Sequence, residues 1–212
     1  MVEKLFWQDP YLTRLETRVA TVNGGSVTLE RTIFFAFSGG QESDRGNIGG
    51  YPVISADKQD REIIYTLEDD HQLKQGDLVL IEIDWPRRYR LMRLHFACEL
   101  VLELVYRALP GINKIGAHIA EDKARIDFLH AESLGSLLPD LTKQVNAMTA
   151  RDLPIISDFS DRAGERRFWA IQDFAQVPCG GTHLKRTGEL GTVSLKRRNP
   201  GKGKERLEIL VD

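Results

Sequence analysis

The 212 residues, 42% hydrophobic and 28% charged, suit one large or two small globular domains that bury a core without disulfide staples. A net charge of −2 argues against indiscriminate binding of nucleic acid, and two cysteines, Cys98 and Cys179, argue against a disulfide framework. Charged residues interrupt every apolar run before the ~18 residues of a membrane span, and Glu3 speaks against a secretory leader, so a cytoplasmic protein is expected.

The first third of the chain reads as β structure. Residues Leu15 to Val22 alternate loosely and are rich in β-branched side chains; Asn23-Gly24-Gly25 then signals a hairpin, with Ser26 to Glu30 as the returning strand. The apolar run Ile33 to Phe37, ending at Gly39-Gly40, predicts a buried strand and a turn. Two further strands are predicted over 62–67 and 77–83. From about Arg90 to Leu109 the period becomes helical, with Leu91, Leu94, Cys98, Val101, Leu102 and Val105 three and four apart, and Pro110-Gly111 as the stop. A second helix is predicted over 132–149, interrupted at Pro139, and strands over 124–129, 167–171, 191–196 and 206–211. The expected fold class is α+β. A small β-barrel spans residues 1–86, and a two-layer α/β domain with a mostly antiparallel sheet spans 87–212.

Three segments carry chemistry. His95 and Glu99, four apart on the long helix, can point to one spot, with Cys98 nearby. In Cys179-Gly180-Gly181-Thr182-His183, two glycines separate a thiol and an imidazole that can reach one metal ion. His95, Cys179 and His183 with the Glu99 carboxylate make a donor set suited to tetrahedral zinc. His95 and Cys98 taken singly are more ordinary as a structural histidine and a small core hydrophobe, and His71, His118 and His130 have no partner at metal spacing. In the third segment, Phe37 to Gly46, Gly39 and Gly40 permit close backbone approach, and Gln41 offers both a donor and an acceptor.

Charge is unevenly spread. Between Lys185 and Arg206 eight basic residues face Glu189 and Glu205, a local balance of +6. Such a strip can hold a phosphate backbone or be an ordinary solvated surface.

In this order the three segments resemble the editing domain shared by alanyl- and threonyl-tRNA synthetases and its free-standing relatives. The likeness rests on Cys179 to His183, on Thr187-Gly188-Glu189 after it, and on Gly39-Gly40-Gln41 with Asp44 and Gly46, which is similar to the alanyl-type signature. It extends over nearly the whole chain. The resemblance implies a zinc-dependent deacylase acting in trans on the ester bond of mischarged tRNA, with Ser-tRNA(Ala) the expected substrate and Gly-tRNA(Ala) the next. It makes residues 87–212 the zinc-binding editing domain, with His95, Glu99, Cys179 and His183 as ligands. Gln41, Thr182 and Thr32 are candidates for sensing the hydroxyl that separates serine from alanine. The expected partner is tRNA, through its acceptor stem and aminoacylated 3′ end. Phosphates would be met by Arg87, Arg88 and Arg93 at the helix start and by Lys196, Arg197, Lys202 and Lys204 near the C-terminus; no obligate protein partner is evident. Glu99 departs from the family, which has a second histidine there. It can ligate zinc, act as a base, or mark loss of the metal, and ligation is the expectation. Two other readings stay open: a tRNA-binding module without catalysis, and a metal-dependent hydrolase of another small ester or aminoacyl-tRNA.

Overall fold

A computed structural model describes residues 2–212, which divide into two units: the chain up to Ser38 with Glu42–Tyr89, and Gly39–Gln41 with Arg90–Asp212. The fold is mixed α+β with mostly antiparallel sheets. No helix among the described residues is long and apolar enough to cross a membrane.

In the first unit β1 (Glu3–Lys4) pairs in parallel with β4 (Arg31–Thr32). The remaining strands are β2 (Arg14–Asn23), β3 (Ser26–Leu29), β5 (Gly46–Ile48), β6 (Tyr51–Pro52), β7 (Ser55–Gln59), β8 (Glu62–Thr66) and β9 (Leu78–Ile83). They form one seven-stranded antiparallel sheet in the order β6-β5-β9-β2-β3-β8-β7. The β2–β3 hairpin closes as expected, with Asn23 opposite Ser26 and Gly24 at φ +54°, a left-handed angle that Gly adopts without strain. Val19, Val27, Leu29, Ile48, Ile63, Tyr65 and Ile81 turn inward from these strands into one apolar core.

One expectation is corrected here. Residues 33–36 are buried but form no strand; only Arg31–Thr32 just before them does. Their backbone is satisfied largely by side chains instead of a ladder: Phe34 N–H donates to Thr32 Oγ1, Phe35 N–H to Asp44 Oδ2, and the Arg88 guanidinium to the Ile33 carbonyl.

The second unit is built on α1 (Trp85–Ala108), which begins within the first unit. The predicted apolar stripe of α1 is buried throughout, and so are Met92, Phe96, Ala97 and Leu100, so the helix is enclosed on more than one side. Beyond it β10 (Asn113–Ile119), β11 (Ala124–Leu129), β15 (Val193–Gly201) and β16 (Lys204–Val211) form a four-stranded antiparallel sheet in the order β10-β11-β16-β15. Ile126, Phe128, Leu207, Ile209 and Val211 cover its apolar face. The helix α2 (Leu138–Ala150) follows a short 3-10 turn over Leu134–Leu137. Pro139 starts α2 instead of interrupting it, because a first-turn residue has no intrahelical N–H bond to lose. A separate three-stranded sheet consists of β12 (Ile156–Asp161), β13 (Arg166–Ile171) and β14 (Ala175–Pro178).

Candidate metal centre

The second unit brings His95, on α1, to the turn that follows β14. Cys179 Sγ lies 3.4 Å from His95 Nε2 and 3.3 Å from His183 Nε2, and one donor atom from each of the three residues falls within 4.8 Å of the others. An ion bound tetrahedrally through bonds of about 2.3 Å to sulfur and 2.0 Å to nitrogen separates those two donors by roughly 3.5 Å. The three side chains are therefore spaced to hold a metal ion.

Each imidazole is oriented by a bond to its other nitrogen. His95 Nδ1 lies 3.3 Å from the Thr182 carbonyl, which can only accept, so Nδ1 carries a proton and Nε2 is turned toward the sulfur. His183 Nδ1 is hydrogen-bonded to Ser157 Oγ on β12 at 3.0 Å. Outer bonds of this kind hold histidine ligands in the required tautomer. Gly181 lets the turn close: a Cβ there would sit 2.0 Å from His95 Cε1 and 2.9 Å from Gln41 Oε1. Gly40, at φ +87°, lies where a Cβ would come within 2.6 Å of the Ala117 carbonyl oxygen.

Burial opposes charge on His95, but the Cys179 sulfur and the Glu99 carboxylate outweigh it and push the His95 pKa up to about 10. The groups facing Nε2 thus favour positive charge there, a demand that a proton or a divalent cation satisfies. Burial, with the charges of His95 and Arg167, pushes His183 well below the ordinary histidine range, which keeps its ring neutral.

Glu99 lies beside this group of three. Its Oε1 is 3.6 Å from His95 Nε2, and its Oε2 accepts from Trp169 Nε1 at 3.0 Å. The group in which every donor lies within 4.8 Å comprises His95, Cys179 and His183 without it. Burial raises the Glu99 pKa, yet hydrogen bonds from His95 and Trp169 win and hold the carboxyl ionised below its usual range. Cys98 is buried, and burial pushes its thiol pKa up, as befits a core residue.

Gln41 and Thr182 meet in this unit. Gln41 Nε2 donates to Thr182 Oγ1 at 2.9 Å, Gln41 Oε1 lies 3.4 Å from the Thr182 N–H, and both residues are buried. An isolated bridge to Ile119 on β10 holds Gln41 in position. Thr32 is in the first unit, fully buried, its hydroxyl shared between Tyr65 Oη at 2.6 Å and the Phe34 N–H.

The predicted cations divide. Arg88 is fully buried, donates to Asp44 through both Nε and Nη2, and also bonds the carbonyls of Ile33 and Pro10. Its position corrects the expectation that it meets phosphate. Arg87 is nearly enclosed, against Glu42 and the Ser43 carbonyl. Arg93 bonds the carbonyls of Leu190 and Asp212. Arg197 makes a two-point pair with the buried Glu205, both bonds 2.6 Å. Lys196, Lys202 and Lys204 are exposed. Sequence reasoning did not single out Ser157, Trp169 or Arg167; the last donates to the Gly181 carbonyl at 3.3 Å and so helps fix the turn. Only Trp169 and Arg167 carried a signal, as members of a predicted strand.

Comparison with known proteins points one way. Residues 167–208 match the family model described as the threonyl and alanyl tRNA synthetase second additional domain. The chain is 32% identical to alanyl-tRNA editing protein AlaX-M of Pyrococcus horikoshii, over 100% of this chain and 99% of that protein. It is 31% identical to the protein of the same name from Saccharolobus solfataricus, with the same coverage. It is also 30% identical to alanine–tRNA ligase of Methanococcus maripaludis, where the match takes in 97% of this chain but 25% of the ligase.

Proposed function

The chain belongs to the family of free-standing alanyl-tRNA editing proteins, and from that premise we propose that it hydrolyses, in trans, the ester joining a wrongly attached amino acid to tRNA. The observation that carries the reading is the convergence of His95, Cys179 and His183 at the turn that also holds the Gln41–Thr182 pair. Ser-tRNA(Ala) is the proposed substrate and Gly-tRNA(Ala) the next, and the cytoplasm the proposed place of action. On this reading the first unit's sheet is a small barrel, and the second unit is a two-layer editing domain.

His95, Cys179 and His183 would hold zinc, with Glu99 as the further donor on the His95 side. Zinc bound there would supply Lewis-acid polarisation of the ester or an activated water. The remaining work falls to the chain. The ester is already activated, so orientation and a polar, water-restricted pocket suffice. Gln41 fixes the Thr182 hydroxyl, and the two together present donors and acceptors to the amino acid. A site built to bond the serine hydroxyl leaves those groups unpaired when alanine binds, and such sites discriminate strongly.

Deacylation of Ser-tRNA(Ala) beside Ala-tRNA(Ala), with zinc content measured on the same preparation, tests the proposal. Loss of serine alone, with about one zinc per chain, is expected. Serine retained on the tRNA by zinc-loaded protein would overturn the assigned substrate. Cys179→Ala is expected to lose both metal and activity.

A further inference from the structure

The four-stranded sheet of the second unit has a polar face, and its charges are layered. On it Glu208 is bonded to Lys123 at 2.8 Å and to Arg198 at 3.2 Å, while Asp127 is bonded to Arg206 at 2.6 Å and to Arg125. Residues directly opposite in antiparallel strands share a face, so the pairings Lys196–Glu208 and Arg198–Arg206 add Lys196 to the set. Five cations thus accompany two carboxylates. The carboxylates lie beneath, 10% and 14% exposed, and their four bonded cations lie above, 31–65% exposed. Solvent therefore meets a basic surface, although the chain as a whole carries −2.

Two details point to an external anion. Arg198 and Arg206 stand directly across from each other on β15 and β16, a pairing of like charges that Glu208 and Asp127, each shared with a second cation, offset only in part. Each carboxylate is shared by two cations and neutralises only one, while holding both side chains in fixed directions. Arg197, on the same strand, belongs to the other face through its pair with Glu205, so the basic surface is a property of the pleat and not of the Lys196-Arg197-Arg198 run.

We propose that this sheet face, through Lys123, Arg125, Lys196, Arg198 and Arg206, is the surface on which the ribose-phosphate backbone of the tRNA lies during editing. Phosphate contacts of this kind fix register without reading sequence. The proposal rests on the reading of the protein as an aminoacyl-tRNA deacylase and adds to it the docking surface.

Binding of uncharged tRNA(Ala) to the full chain, measured across a range of salt concentrations, is the test. Replacing Arg125 and Arg198 together by Gln is expected to weaken binding about tenfold at low salt and to lower the slope of log affinity against log salt by about 2. Glu208→Gln removes a negative charge from the same face and is expected to tighten binding. That opposite sign guards against a loss that merely reflects unfolding. Unchanged affinity and slope in the double variant, together with no tightening in Glu208→Gln, would overturn the docking face while leaving wild-type deacylation, and so the enzymatic reading, intact. Failure of the wild-type chain both to bind tRNA and to deacylate it would overturn both.

Discussion

The arginines at the start of α1 and the cations of β15 and β16 look alike as letters and differ as structure. Arg88 is enclosed, and its guanidinium is consumed by Asp44 and two carbonyls. Arg198 is 65% exposed, and the carboxylate it touches lies deeper than it does. What separates the two cations is depth: both members of the Arg88–Asp44 pair are fully buried, whereas Arg198 lies outside a carboxylate that is 10% exposed and leaves positive charge at the surface.

The sharpest way to break this contrast is Arg88→Ala. Removing one member of a buried pair strands the Asp44 carboxylate and is expected to cost about 3–5 kcal/mol, read as a fall in the midpoint of urea unfolding. A shift of under 1 kcal/mol would mean that Arg88 is not the internal tie described above. Next comes Gly181→Ala, aimed at the metal centre: its methyl group overlaps the His95 ring, so zinc affinity or deacylation should drop roughly 10- to 100-fold in protein that still folds. Retention of full zinc occupancy and full activity would show that the turn can shift without cost.

Arg197 and Glu205 sit between the two extremes, and pH probes them. The bond from Arg197, against the effect of burial, holds the Glu205 carboxyl below the ordinary range. A carboxylate depressed in the folded state contributes stability above its unfolded value of about 4.3 and loses it as pH falls through the folded value. Glu205→Gln should therefore be less stable than wild type near neutrality, and the two should converge in acid; parallel curves would show that the pair is energetically silent. The smallest effect belongs to Lys202→Gln at the hairpin tip, within about 0.5 kcal/mol of wild type in stability. A larger loss there would contradict its assignment to open surface.

Periodicity made the enclosed α1, the β2–β3 hairpin and the strands 124–129 and 206–211 legible, since a helix or strand with a buried face leaves a local trace in sequence. The Cys179–His183 turn was legible through its glycines. What was hidden depends on residues far apart along the chain. Ser157 meets His183 across 26 positions and Trp169 meets Glu99 across 70, and nothing local in either sequence requires it. Residues 33–36 misled because burial by itself does not distinguish a paired strand from extended chain whose partners are side chains. The basic runs misled in a similar way: exposure is set by the fold, so Arg88 and Arg198 could not be told apart by counting.

Gly39, Gly40 and Gln41 are covalently part of the N-terminal stretch yet belong to the second unit, where Gln41 is hydrogen-bonded to Thr182. No single cut in the polypeptide can therefore separate the two units with their working parts intact. Any piece beginning after residue 89 would keep His95, Cys179 and His183 but forfeit the glutamine that steadies Thr182. The two units are consequently bound to a shared inheritance: a gene rearrangement that moved one without the other would have to supply a substitute for three residues before the transplanted half regained the bond that holds Thr182.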